Sequence, residues 1–174
     1  MKALQHFKTI TNHKILVMKG CFRIGLYKQA LLHDMSKYSP AEFLVGCKYY
    51  QGVRSPNNAE REVKNYSQAW MHHKGRNKHH YEYWTDYSVN GSGVIPIPMP
   101  KRYVAEMFID RVSASKIYEK TNFDKTQPLQ YFLRGKGHYF MAEQTSTELE
   151  MLLRMLAQEG EKVTYQYIKD VFLK

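Results

Sequence analysis

The chain has 174 residues, of which 43% are hydrophobic and 14% aromatic, and its formal net charge is +10. This composition excludes a disordered chain and fits one globular domain spanning residues 1–174. The positive charge favours anionic partners: nucleic acid, phosphorylated small molecules or an anionic surface. Because the basic residues are dispersed along the chain, specific DNA binding is the less favoured of these.

The sequence predicts a cytoplasmic protein that does not enter a membrane. No apolar run approaches the length of about 18 residues that a membrane span needs. The first residues, Met1 to His6, lack the apolar core of a signal peptide. Cys21 and Cys47 each stand in an apolar context, so we expect two buried free thiols in a reducing compartment.

Every strong hydrophobic period in the chain is close to 3.6 residues, which predicts an all-α fold. The stretch 85–98, rich in Gly and Pro, is predicted to be a loop. Ser39, Pro40 and Glu42 form a helix start in which Glu42 completes a capping box. Helices are predicted over about residues 3–27, up to the His33–Asp34 pair, and over 39–50, 59–74, 101–120, 127–135, 141–159 and 163–173.

One histidine lies in the apolar stripe of the first helix: His13, between Ile10 and Val17. A single histidine in such a stripe is most often a core residue satisfied by hydrogen bonds. Metal ligation is the alternative.

The adjacent pair His33–Asp34 follows an apolar run. Both side chains bind divalent metals, one through nitrogen and one through oxygen. Neighbours on a helix point about 100° apart, so both reach one ion only from a bent or terminal turn. Lys37 lies one turn beyond His33, where it can hold an anion. By itself, the pair fits a solvated helix end equally well.

Four of the eight histidines form two doublets, His72–His73 and His79–His80. They can mark a basic, solvated helix end, but aromatic residues flank them and favour partial burial, which favours metal ligation. Within the predicted helix 59–74, His73 shares a stripe with Val63, Tyr66 and Trp70. This stripe directs His73 inward.

Asp110 lies on the apolar stripe of the helix predicted over 101–120. An unpaired buried carboxylate is costly, so Asp110 should be paired, protonated or bound to metal. Glu106, one turn earlier, is either a carboxylate that hydrogen-bonds to a metal ligand without touching the metal or a solvated surface residue.

In this order, His13, the His33–Asp34 doublet and Asp110 resemble the defining residues of the HD superfamily of helical metal-dependent phosphohydrolases. Lys37 matches a family Lys three residues after the doublet. Ser36 stands where the family usually has Gly.

The segment 79–82 is similar to the paired histidines of HD-GYP-type members, which bind two or more metals. His72 or His73 then matches the single histidine that precedes this pair. The Gly-Tyr-Pro motif of that group does not follow Glu82, so the chain can also belong to a separate HD-like family.

The resemblance implies one helical domain of the HD type, with the metal-site core over about residues 10–118 and C-terminal helices over about 127–173. It implies one or two divalent ions of iron, manganese or zinc. Two ions would lie about 3.5–4 Å apart and be bridged by Asp34. The predicted ligands are His13, His33, Asp34, His72, His73, His79, His80 and Asp110.

We therefore expect a metal-dependent phosphohydrolase that acts on a phosphorylated small molecule or nucleotide, either a phosphomonoester or a phosphodiester, through metal-activated water. Asp34, Lys37 and Arg76 are the predicted catalytic residues, with Lys37 and Arg76 contacting phosphate. For Arg76, an exposed solubilising charge is an equal alternative. Two other functions stay open: a di-iron oxygenase on the same fold, and a non-catalytic metal-bearing binding protein.

Overall fold

The helical periodicity of the sequence forms nine α-helices in the computed structural model, which describes residues 1–174. The prediction of an all-α fold is confirmed. No helix combines the length and the apolar character that crossing a membrane would require. The helices are α1 (Lys2–Arg23), α2 (Tyr27–Leu32), α3 (Pro40–Tyr49), α4 (Pro56–Lys64), α5 (Gln68–Lys74), α6 (Lys101–Glu119), α7 (Gln127–Gly135), α8 (Glu143–Glu159) and α9 (Glu161–Tyr167).

Short 3-10 and π-helical turns connect or extend these helices. The predicted loop 85–98 contains a small antiparallel hairpin, in which β1 (Thr85–Tyr87) pairs with β2 (Val94–Pro96). The 3-10 turns are Met35–Tyr38, Tyr81–Tyr83, Lys120–Asn122 and Lys136–His138, and a π-helical turn, Ile168–Phe172, directly follows α9.

The hydrophobic core lies between α1 and the helices of the C-terminal half. Val17 of α1, Phe108 of α6 and Leu152 of α8 are fully buried in one cluster. α1 and α6 approach closely at Gly20, where an added Cβ would lie 2.6 Å from Cγ2 of Ile109. This pairing brings two of the predicted metal ligands together, because His13 and Asp110 lie on the faces that meet.

The helix predicted over 59–74 is in fact two helices, α4 and α5. Asn65 adopts a left-handed conformation (φ 65°), which Asn tolerates better than most residues. The chain restarts at Ser67, whose hydroxyl accepts a hydrogen bond from the backbone N–H of Trp70. The predicted stripe is therefore wrong: Val63 and Tyr66 are 70% and 53% exposed.

Two smaller predictions are also wrong. Ser39 makes no side-chain cap at the start of α3, and the Glu42 carboxylate contacts two histidine rings instead of completing a capping box. The rings offer charge-assisted hydrogen bonds, which are stronger than the bond to a backbone amide. Both cysteines are free, but only Cys21 is buried; Cys47 is partly exposed at the surface of α3.

Replacing Gly20 with Ala should destabilise the fold through the contact between α1 and α6. Overpacking against Ile109 costs about 1–3 kcal/mol, and the better helix propensity of Ala offsets only part of this. We expect a net loss of about 1–2 kcal/mol in the free energy of unfolding, measured by denaturant titration. Gly137→Ala is the control, because no atom lies within 4 Å of its added Cβ. Equal stability of the two variants would contradict the described packing.

Candidate metal centre

The site is organised around a bend at the His33–Asp34 pair. His33 directly follows the last residue of α2, and Asp34 adopts a left-handed backbone conformation with φ 55° before the 3-10 turn begins. Asp is among the residues that tolerate this region. The bend points both side chains into the interior, where each residue is 2% exposed. The pair thus occupies the terminal turn from which two neighbours can reach one ion.

One set of potential ligands joins α1, the bend and α6. Nε2 of His13 lies 2.8 Å from Oδ1 of Asp110. Nε2 of His33 lies 3.3 Å from Oδ2 of Asp34 and 3.4 Å from Oδ1 of Asp110. The ligand atoms of these four residues lie within 4.8 Å of one another and can hold a metal ion.

A second set joins the bend to α5 and the segment that follows it. Nε2 of His73 and Nε2 of His79 lie 3.2 Å and 3.5 Å from Oδ1 of Asp34. His80 completes this group, whose ligand atoms also lie within 4.8 Å of one another. Asp34 belongs to both sets, with Oδ2 facing the first and Oδ1 facing the second.

The potential ligand atoms are buried without conventional partners. Oδ1 of Asp34 makes no hydrogen bond, and neither does Nε2 of four histidines: His33, His73, His79 and His80. Oδ2 of Asp34 forms an ion pair with Lys37. An unsatisfied buried polar atom typically costs about 1–3 kcal/mol, so five in one place call for a further partner. Imidazole nitrogen and carboxylate oxygen are ligands of iron, manganese and zinc. The residues present therefore fit a divalent metal.

Two glutamates contact the Nδ1 atoms of the histidine rings, on the side of each ring that faces away from Asp34. Nδ1 of His33 donates to Glu106 at 2.9 Å, and Nδ1 of His79 lies 3.3 Å from the same oxygen. Nδ1 of His73 donates to Glu42 at 2.7 Å. Because Nδ1 carries the proton in these contacts, a neutral ring presents the lone pair of Nε2 to the site.

Neighbouring charged and hydrogen-bonding groups keep the carboxylates of Asp34 and Asp110 ionised. Burial alone would raise the pKa of Asp34, but the neighbouring His33 and Lys37 hold it well below its ordinary value. Burial likewise opposes ionisation of Asp110, yet hydrogen bonds from His13 and His33 lower its pKa. Burial and the charges of His79 and His73 lower the pKa of His80, which keeps that ring neutral. The carboxylate of Asp34 in turn raises the pKa of His33 and of His73, so a cation that binds at their Nε2 atoms displaces protons.

The remaining predicted site residues lie around this centre. Nζ of Lys37 is 2.5 Å from Oδ2 of Asp34, so its charge stands beside the shared carboxylate. His72 lies outside both ligand sets, and its Nδ1 donates to Glu42 at 2.6 Å. Arg76 is exposed and donates to the carbonyl oxygen of His72. Its contact with phosphate stays a prediction.

The sequence reasoning missed three supporting residues. Glu42 matched a capping box, and that pattern hid its contact with the histidines. Asn77 donates to the hydroxyl of Ser36 at 2.8 Å and to the carbonyl oxygen of His73 at 2.8 Å. Oγ of Ser36 also lies 3.2 Å from Nδ1 of His73. The only sequence signal for these residues was their closeness to the histidine doublets and the His-Asp pair.

The sequence matches a family of unknown function (DUF5662) over residues 2–155. No curated protein matches the chain, and no solved structure does. The family match extends from α1 into α8 and includes every residue of both ligand sets. The chemistry of the site is therefore the basis for any assignment of activity.

Asp34→Asn should abolish metal binding, because Asp34 is the anionic ligand common to both sets. In the wild type, metal at 100 times its dissociation constant should stabilise the fold by about 2.7 kcal/mol, which raises the melting temperature. The variant should show no such rise, and elemental analysis should find little metal. Asp86→Asn, an exposed substitution in β1, is the control. Full metal occupancy in Asp34→Asn would rule out the described centre.

Glu42→Gln should weaken metal binding without removing a ligand. The glutamine no longer holds the proton on Nδ1 of His73 as firmly, and loss of such a partner typically costs about 10–100-fold in metal affinity. The affinity can be measured by competition with a chelator of known strength. Glu119→Gln, at the exposed end of α6, should leave it unchanged. Identical affinities for the two variants would show that Glu42 has no orienting role.

Proposed function

The chain belongs to the DUF5662 family, whose function is unknown, and we propose that it is a metal-dependent phosphohydrolase. The observation that carries this proposal is the division of the Asp34 carboxylate between two ligand sets, with a lysine ammonium at its edge. A shared carboxylate between two cation sites is the arrangement that two-metal phosphoryl-transfer sites use. The resemblance to the HD superfamily supports the same activity.

The two sets would hold two ions, with Asp34 as the bridge. His13, His33 and Asp110 would complete the first site; His73, His79 and His80 would complete the second. A bound divalent metal supplies a nucleophile from water at neutral pH and polarises a phosphoryl oxygen. The donor set suits iron, manganese or zinc.

Other side chains of the protein orient the histidine rings and offset negative charge on the substrate. Glu106 and Glu42 hold the rings of His33 and His73 so that Nε2 faces Asp34. Lys37 is the cation that stands beside Asp34, and its ammonium can pair with a phosphate oxygen of the substrate. Preorganised charge of this kind stabilises the negative charge that builds up during phosphoryl transfer.

The proposed reaction is the hydrolysis of a phosphate ester. The water oxygen forms a new bond to phosphorus, the bond from phosphorus to the ester oxygen breaks, and the leaving oxygen takes up a proton. The products are an alcohol and inorganic phosphate from a phosphomonoester, or an alcohol and a phosphomonoester from a phosphodiester. No oxidant or reductant takes part.

The test is phosphate release from a panel of phosphate esters by protein loaded with manganese, iron or zinc. We expect hydrolysis of at least one ester, and its loss in Asp34→Asn. Lys37→Ala should keep the metal and lower kcat/KM by roughly 100-fold, the usual effect of removing one charge-stabilising group. Lys169→Ala, at an exposed position near the C-terminus, is the control.

Three outcomes would contradict the proposal. Metal-replete protein that hydrolyses no ester is not a phosphohydrolase. Oxygen consumption that depends on bound iron, without phosphate release, would identify an oxygenase instead. Salt-sensitive binding of nucleic acid with neither activity would favour a binding protein.

A further inference from the structure

A small cavity of about 60 Å³ adjoins the metal centre. Its wall combines Lys37 with residues from four other elements: His6 of α1, Tyr50 after α3, the start of α4 at Ser55, and Tyr118 of α6. Lys37 is also the residue that contacts Asp34. A ligand whose phosphate lies beside Lys37 would therefore extend its other end into this cavity.

One buried group in the cavity wall lacks a partner. His6 is 6% exposed, and its Nδ1 makes no hydrogen bond. Burial and the nearby charge of Lys37 lower the pKa of His6 to about 4, so the ring is neutral at pH 7. Gly46 makes room for this ring, since a Cβ there would lie 2.1 Å from Nε2 of His6. The neutral ring can exchange hydrogen bonds with a ligand.

The rest of the wall offers neutral donors and acceptors. The hydroxyl of Tyr50 is paired with that of Thr9 at 2.7 Å and keeps further hydrogen-bonding capacity. Ser55 and Asn57 supply a hydroxyl and an amide at the N-terminus of α4. Hydroxyl groups of a ligand, which both donate and accept, match this mixture.

The charged groups that line the cavity are already compensated. Lys37 pairs with Asp34 at 2.5 Å, and Glu42 accepts hydrogen bonds from His72 and His73. No unpaired charge is therefore left for the part of the ligand that enters. A second phosphate or a carboxylate would meet Glu42 without a free cation to offset it.

The volume determines how much of the ligand this partly open cavity can enclose. A cavity needs about 10–15 Å³ of this kind of volume for each water-sized group, so 60 Å³ holds roughly four to six such groups. Glycerol has this size, whereas a nucleoside is several times larger.

Resting on the proposed function, we propose that this cavity binds the leaving group of the substrate, and that the substrate is a phosphomonoester of a small polyol with three or four carbons. Lys37 marks the boundary between the phosphate and the polyol. Selectivity then comes from hydroxyl groups recognised by His6, Tyr50 and the start of α4.

The first experiment compares kcat/KM of the metal-loaded protein for three esters. The kcat/KM for glycerol 3-phosphate should exceed that for adenosine 5′-monophosphate by at least tenfold. Methyl phosphate, whose leaving group is too short to enter the cavity, serves as the reference. The variant Tyr50→Phe/Asn57→Ala should raise KM for glycerol 3-phosphate about tenfold and leave the kinetics with methyl phosphate unchanged. The matched control is Tyr87→Phe/Asn90→Ala in the exposed hairpin.

A second measurement does not depend on turnover or on the stability of a variant. Glycerol 3-phosphate added to the wild-type protein should shift the NMR signals of the His6 ring and leave those of the exposed His138 in place. Inorganic phosphate alone should not produce the His6 shift, because it does not reach past Lys37.

The outcomes separate the two proposals. If esters are hydrolysed but adenosine 5′-monophosphate is as good a substrate as glycerol 3-phosphate, or the cavity variant affects all esters equally, the polyol subsite is wrong and the phosphohydrolase stands. If no ester is hydrolysed, the proposed function fails, and the His6 signals alone decide the cavity: an unchanged spectrum overturns the subsite.

Discussion

The burial of the Asp34 carboxylate is the constraint on which the rest of the site depends. An ionised carboxylate removed from water is costly unless opposite charge and directed partners surround it. Here α1, α5 and α6 each bring a histidine or a carboxylate to the same bend, and Lys37 adds its charge at 2.5 Å. The left-handed backbone at Asp34 exposes both of its oxygens to this group. Without that bend, the adjacent side chains of His33 and Asp34 would face different directions.

The supporting carboxylates determine what the histidines can do. Glu106 and Glu42 occupy the Nδ1 side of His33 and His73, which leaves Nε2 directed at Asp34. Such outer partners fix the tautomer and the orientation of a metal-binding imidazole. Because Nδ1 of both His33 and His79 faces Glu106, this carboxylate acts as their common support from behind. The site is therefore built from pairs of acidic and imidazole groups that are far apart in sequence.

At α4 and α5 the structure departs from the predicted helix over 59–74. The sequence pattern directs His73 inward on a stripe with Val63 and Tyr66, yet those two residues are exposed. His73 is buried because the chain breaks at Asn65 and restarts in a new direction at Ser67. A helical period cannot reveal such a break, since the spacing of Val63, Tyr66 and Trp70 continues across Asn65 without interruption. The capping pattern at Glu42 was ambiguous for a similar reason: one carboxylate suits either a backbone amide or an imidazole.

The all-α class is already contained in the amino-acid sequence, because the 3.6-residue period is a local property that each helix shows alone. The sequence also contains the residues that could form a metal centre: His13, the His33–Asp34 pair, the histidine doublets and Asp110. Which histidine of the first doublet faces Asp34, and that Glu42 supports it, follows from tertiary packing alone. Tertiary packing also places a polar cavity on the far side of Lys37. These features depend on contacts between helices 30 to 100 residues apart in the chain, such as His13 with Asp110, and no local pattern encodes which of those faces meet.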